Sequence, residues 1–219
     1  MVYGAGCGSK ERRARMQDTL QRIWPLASIE VDTDIMGAAR GLCGGGTGLV
    51  LILGTGMNVG WTDGSRLHQP MPSLGYILGD EGSGADIGRM LLQDAFYDRM
   101  PADVKLALFG IDGPDREKIL MEVYRSPFPA KMLAARTVRL WDLMDRPYVR
   151  GSIISRFHVL ADLIKKFFTQ EQQEQVFATG SVAYGFQELL AEVLMDHGMD
   201  LVKVEKDPLH GLIRHASQR

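Results

Sequence analysis

Two stretches decide how this chain folds: LGTGMNVGW, residues 53–61, and SLGYILGDEGSGADIG, residues 73–88. The first closes an unalternating apolar run, Leu49 to Leu53, with glycines, the pattern of a strand buried on both faces. Gly54-Thr55-Gly56 turns that strand. Asn58 to Trp61, followed by Asp63-Gly64, reads as a hairpin returning to solvent. In the second stretch Asp80 and Glu81 stand between glycines just ahead of a helix. A helix cap with favourable dipole interaction accounts for the acids, contributing about 0.3–1 kcal/mol. It does not account for glycine on both sides, which suits close approach by a polar ligand.

Outward from this centre the chain alternates. Before it, a helix is predicted from about Glu11 to Ile23, stopped by Pro25, then a short strand from Ser28 to Val31. Asp32-Thr33-Asp34 leads into a small-residue helix, Ile35 to Leu42, which Gly44-Gly45-Gly46 ends. After it, apolar residues recur at helical spacing over Ala85–Asp98, Arg116–Tyr124 and Gly151–Phe168, with prolines between. Val176 to Thr179 reads as a strand, and Gly180-Ser181 opens a helix running to about His197. Leu201 to Val204 is a last strand and Pro208 to His215 a last helix. Strands alternate with helices at both ends around a helical insertion, which makes the fold class α/β.

Composition narrows the function. The 219 residues are 45% hydrophobic and 24% charged, with a formal charge of −2, ordinary values for a globular protein able to bury a core. No basic stripe or aromatic-basic interleaving suggests a nucleic-acid partner. The apolar runs are strand length, so no membrane association is expected. Val2-Tyr3-Gly4 reads as the end of a strand with no signal peptide before it, and a cytoplasmic protein is the expectation. Cys7 and Cys43 fit no CxxC spacing and are expected to be reduced thiols.

Three glycine turns follow strands: Gly4-Ala5-Gly6, Gly54-Thr55-Gly56 and Gly180-Ser181. Such turns let backbone N–H groups approach an anion. A dinucleotide-binding reading of the first fails, because Gly4-x-Gly6-x-Gly8 has the wrong spacing and no acid ends a second strand about 20 residues on. No Gly-Lys-Ser/Thr follows any of the turns, so a Walker loop is absent too. The second and third turns are expected to face one another across one cleft.

LGTGMNVGW, SLGYILGDEGSGADIG and ATGSVA (residues 178–183) together resemble the phosphate, sugar and adenosine motifs of N-acetylglucosamine kinases. These belong with the BadF/BadG ATPase-like group of the actin/hexokinase/Hsp70 superfamily. VYGAGC at residues 2–7 and DPLHGLIRH at 207–215 extend the similarity over nearly the whole chain. The resemblance implies a two-lobed, RNase H-like (actin-like ATPase) fold holding ATP, magnesium and an amino sugar in its cleft. It divides the chain into a remnant of a first lobe at 1–46, a second lobe with the helical insertion at 47–207, and a helix at 208–219 packing back toward the first. It leaves a homodimer open. In VDTDIMGAA, residues 31–39, it places the base for the sugar hydroxyl at Asp34, with Asp32 as rival and a helix cap as the bland alternative for either. Gly54, Thr55 and Gly56 would hold phosphates, and Gly180, Ser181 and Gly185 would border adenosine. Asn58 and Asp80 would serve sugar hydroxyls, with the backbone of Ser73, Leu74 and Gly75 lining the same pocket; no protein ligand to the metal is implied.

The chain departs from that pattern in two places. Met57 stands where a small polar residue is usual, and a thioether donates no hydrogen bond, which leaves one sugar contact, and with it the identity of the sugar, open. The pattern also begins with an Asp-Gly-Gly-Ser/Thr-Thr-like hairpin that clamps phosphate and metal. Met1 matches a point roughly 60–70 residues inside it, about half a small domain. Phosphoryl transfer depends on such clamps, so weak kinase activity is expected of these residues alone. Two other functions fit less well. A BadF-type ATPase activator needs cysteines for an iron–sulfur cluster, and Cys7 and Cys43 are not spaced for one. A non-catalytic sugar- or nucleotide-binding remnant is the third. The ROK-type sugar kinases are disfavoured because their Cys/His zinc cluster has no counterpart.

Overall fold

In the computed structural model, residues 1–217 are described. The centre is a mixed sheet of β3 (Gly48–Leu53), β4 (Met57–Thr62), β5 (Leu67–His68), β6 (Gln175–Thr179) and β7 (Asp200–Glu205), in the order β5-β4-β3-β6-β7. β3, β4 and β5 form an antiparallel meander, while β6 and β7 run parallel to β3. β3 is central because GLVLIL has no polar side chain to keep wet. Leu49, Leu51 and Leu53 join the larger core with Ile87 and Leu91 of α4 (Gly84–Phe96), Phe157 and Leu160 of α8 (Pro147–Phe167), and Leu189 of α11 (Gln187–Asp196). Val50 points the other way, into a smaller core with Ile35, Ala38, Ala39 and Leu42 of α2 (Asp34–Cys43). Helices thus cover both faces of the sheet, as the sequence pattern requires.

A separate parallel pair, β1 (Val2–Gly4) and β2 (Val31–Thr33), is joined by α1 (Lys10–Ile23). The strand expected at Ser28–Val31 is displaced onto Val31–Thr33. The Gln21 amide donates to the carbonyls of Trp24, Pro25 and Ala27, which holds that segment as a turn until the ladder begins. The helix expected from Ser181 to about His197 is two helices, α10 (Ser181–Gly185) and α11, broken at Phe186. The Trp141 indole lies against Gly185 and meets Phe186 edge-on at this break. α8 starts at Pro147, four residues before the expected Gly151, because proline is well suited to a first helical turn. A short α3 (Gly75–Leu78) was not foreseen from the sequence.

The last described helix, α12 (Leu209–Ser217), lies on α2. Its Gly211 meets the Gly41 backbone so closely that a side chain on either would overlap main-chain atoms. Residues 218 and 219 of the expected unit 208–219 lie outside the described residues. Among the described residues no helix is long and apolar enough to cross a membrane.

Candidate active site

The C-terminal ends of the parallel neighbours β3 and β6 carry the second and third glycine turns side by side, since Ile52 pairs with Thr179. Crevices beyond such strand ends are the usual ligand sites of α/β sheets. Gly180 has φ 109°, and a Cβ there would overlap the Leu53 carbonyl, so only glycine lets the two turns touch. The Gly54 and Thr55 carbonyls accept from the Gly84 and Ala85 N–H groups, at 2.8 and 3.0 Å. The first turn of α4 is thereby fastened to the loop. The first glycine turn stays apart from this pair: Gly4 ends β1 in the other sheet, and its carbonyl accepts from Cys7 N–H at 3.2 Å.

Asp34 is the first residue of α2, but neither it nor Asp32 is the cap. Thr33 is, its hydroxyl accepting from Met36 N–H at 3.2 Å. Asp32 turns toward α1, where Arg13 lies 3.5 Å from its Oδ1. Asp34 turns toward the sheet. Its Oδ1 accepts from its neighbour Ile35 N–H at 2.9 Å and from Asn58 Nδ2 at 3.4 Å. Asn58 Oδ1 in turn accepts from Gln69 Nε2 at 2.9 Å, which fixes the orientation of the amide.

Asp80 meets the same strand one residue earlier, at Met57. It is 8% exposed, sits in the left-handed region at φ 61°, and its carboxylate accepts from Met57 N–H. Its Oδ2 lies 2.8 Å from where a Gly56 Cβ would be, which explains the glycine at that position. Burial pushes the Asp80 carboxyl above its ordinary range. The Met57 N–H opposes that shift, the charges of Glu81 and Asp86 add to it, and Arg89 opposes it. Asp34 and Asp80 are therefore hydrogen-bonded to consecutive residues of β4, Asn58 by side chain and Met57 by backbone. Met57 itself points into the main core at 7% exposure, because the alternation of β4 sends it and Val59 inward together. The Met57 side chain therefore offers nothing to a ligand, and the position contributes its N–H to Asp80.

Ser73 and Leu74 are exposed ahead of α3, and Gly75 opens it at φ 72°. The face where Gly185 lacks a side chain is filled by Trp141. Cys7 is buried and Cys43 half-buried; burial pushes the Cys43 thiol up to about 11, with Lys203 pulling it the other way, so it stays protonated at neutral pH. Four residues around the site were not singled out in the sequence: Gln69, Asp86, Arg89 and Arg156. Only Asp86 carried a signal, as an acid in the first turn after a serine cap.

A turn of backbone amides beside two carboxylates and an amide offers anion contacts next to acceptors for hydroxyl groups, the needs of a phosphorylated nucleotide and a polyol. The solved structure of the Porphyromonas gingivalis "putative N-acetylglucosamine kinase" superposes with a TM-score of 0.92 at 33% identity, covering 99% of this chain and 76% of that one. The chain belongs to the N-acetylglucosamine kinase-like family of sugar kinases. A Chromobacterium violaceum structure with the same description matches at 20% identity and a TM-score of 0.69, covering 98% of this chain and 75% of that one, and shows the shared fold. The family's actin-like ATPase architecture accounts for the meander followed by two parallel strands. Among curated proteins, the N-acetylmuramic acid/N-acetylglucosamine kinase of Clostridium acetobutylicum is 24% identical over 169 residues. That match takes in 75% of this chain and 54% of the relative, so the chain spans about half the length of the curated kinase it matches. No family model matches the chain.

Proposed function

We propose that these residues form the sugar- and nucleotide-binding part of a kinase that transfers the γ-phosphoryl group of ATP to a hydroxyl of an amino sugar of the N-acetylglucosamine class. The observation that carries this reading is the meeting of Asp34 and Asp80 on Asn58 and Met57, beside the Gly54-Thr55-Gly56 turn. Asp34 is the general base. Its two donors gather on Oδ1, which leaves Oδ2 to take the hydroxyl proton as the phosphorus is attacked. A positioned base of this kind contributes roughly 10²–10⁴-fold in rate. Asn58 and Asp80 bind sugar hydroxyls, with the backbone from Ser73 to Gly75 beside them. The Gly54-Thr55-Gly56 turn faces the phosphates, its own shape held by the Gly54 N–H donating to the Gly56 carbonyl at 3.0 Å, and Gly180, Ser181 and Gly185 border the adenosine.

Magnesium accompanies ATP in this reading. The ion would be held mainly by phosphate oxygens and water, since Asp34 and Asp80 are engaged with the sugar in this reading. When bound, it offsets phosphate charge.

Calorimetric titration of N-acetylglucosamine and of ADP tests the reading. Asp80→Ala should weaken sugar binding by about 100-fold, because a site built on hydrogen bonds to hydroxyls is strongly penalised when one partner is removed. ADP affinity should be unchanged. Equal loss of both ligands would make Asp80 a structural residue, and no sugar binding by the unaltered chain would overturn the substrate class. In a turnover assay with magnesium ATP, Asp34→Asn should abolish ADP release while sparing sugar affinity.

A further inference from the structure

Asp86 is the most completely engaged carboxylate near the site, and the proposed chemistry makes no use of it. Its side chain is 3% exposed, in the first turn of α4. Oδ2 accepts from Gly82 N–H at 2.9 Å and from Arg156 Nε at 2.7 Å. Oδ1 accepts from Arg89 NH2 at 2.8 Å and from Arg156 NH2 at 3.1 Å. Arg89 extends the set, its NH1 donating to the Tyr76 carbonyl at 2.5 Å. Tyr76 and Gly82 bracket Asp80 in the chain. One carboxylate therefore holds the far end of the loop directly and the near end through Arg89, while Arg156 moors it to α8.

The loop needs such restraint. Asp80 and Gly82 both have positive φ, at 61° and 76°, a conformation that costs a non-glycine residue energy and persists only when its surroundings enforce it. A planar guanidinium gripping a carboxylate on two atoms fixes direction as well as distance, which a lysine cannot do.

We infer that Asp86, with Arg89 and Arg156, is the positioning cluster of the sugar subsite: it sets the orientation of the Asp80 carboxylate and thereby sugar affinity, and leaves the nucleotide turns alone. This rests on the reading of Asp80 as a sugar ligand. The nucleotide turns are fastened by main chain, through the Gly84 and Ala85 N–H groups and Gly180 against Leu53, bonds that a change in the Arg89 side chain leaves in place.

The test uses Arg89→Met, which keeps the bulk of a side chain that is one-third exposed, and Asp86→Asn, which keeps the shape and removes the charge. Calorimetry with N-acetylglucosamine and with ADP should show sugar dissociation constants raised roughly tenfold in Arg89→Met, since sub-ångström misplacement of a binding group is costly, and ADP constants within about twofold. Amide exchange at residues 76–83 should quicken in both variants, while β3 amides stay protected. Asp86→Asn strips a counter-charge from two arginines and can unfold the chain; Arg89→Met then decides alone. Unchanged sugar affinity, or sugar and ADP affinity falling together, would overturn the inference. If the unaltered chain binds no sugar, the substrate reading fails, and the exchange measurement still judges the positioning. Faster exchange confined to residues 76–83 upholds it, and unchanged exchange sinks it.

Discussion

On β3, Leu49, Leu51 and Leu53 are wholly buried on one face and Val50 on the other, while every residue of β1 and β2 is half-buried and α1 buries none. Both regions carry parallel strand pairing, yet only one has a core. The difference lies in the sequences: GLVLIL offers apolar side chains to both faces, whereas KERRARMQDTLQRI is charged around most of its circumference. What holds α1 to β2 is the ion pair of Arg13 with Asp32, between partly exposed side chains. Exposed pairs of this kind contribute about 0–1 kcal/mol. The two candidate carboxylates stand differently to this divide. Asp80 is lodged against β4 in the well-buried sheet. Asp34 stands where the two regions meet, following the weakly buried β2 and opening α2, whose Ile35 is wholly buried.

The largest expected effect tests the firm side. Leu51→Ala should destabilise the chain by about 2–5 kcal/mol, the range for a leucine removed from a closed core. It would be read from urea unfolding. A much smaller value would mean that β3 can relax and the contrast is overstated. Next, Gly180→Ala forces a side chain into the Leu53 carbonyl at a positive φ. The strain is of order 1–3 kcal/mol, and displacement of the turn should also weaken ADP binding. Retained stability together with retained ADP affinity would show that the two turns are not locked together.

A smaller effect concerns Asp80 and has a definite sign. Burial raises its folded-state pKa, so the fold disfavours the charge, and the residue detracts from stability above that pKa. The penalty fades as pH falls through the folded pKa and is gone below the unfolded value of about 3.9. Asp80→Asn should therefore raise the thermal midpoint at neutral pH while weakening sugar binding. The gain should shrink across a descending pH series. A gain independent of pH would assign it to something other than the charge. Smallest of all is the effect expected on the loosely held side: Met16→Ala, on exposed α1, should stay within about 0.5 kcal/mol. Amides of α1 should also exchange far sooner than those of β3. Slow exchange in α1 would erase the comparison.

Much of the site was legible because its parts are local. Gly54 to Gly56, Asn58, and the acid between Gly79 and Gly82 each announce a turn or a ligand within a few residues. The fold class followed from the same local signals. What escaped notice depends on partners distant in sequence. Nothing in the amphipathic pattern of α8 distinguishes Arg156 from a solvated arginine until α4 is laid beside it. The direction of Met57 depends on its pairing with Leu53, which motif reading alone does not give. The break at Phe186 is set by Trp141, an indole from the helical insertion. β2 was placed a few residues early because its start is set by β1, whose first residue Val2 pairs with Val31, a partner remote from the local pattern.

The contact of Gly41 with Gly211 also bears on the order in which the molecule comes into being. α2 is synthesised before the five-stranded sheet, and the helix that presses on it only after that sheet is complete. Until then the Gly41 face of α2 has no cover. Pairings so remote along the chain close late, since the entropy of the intervening loop must be overcome first. On a ribosome the helix that begins with Asp34 would emerge well before its cover and wait for it, its Gly41 face closed only when residues 209–217 arrive.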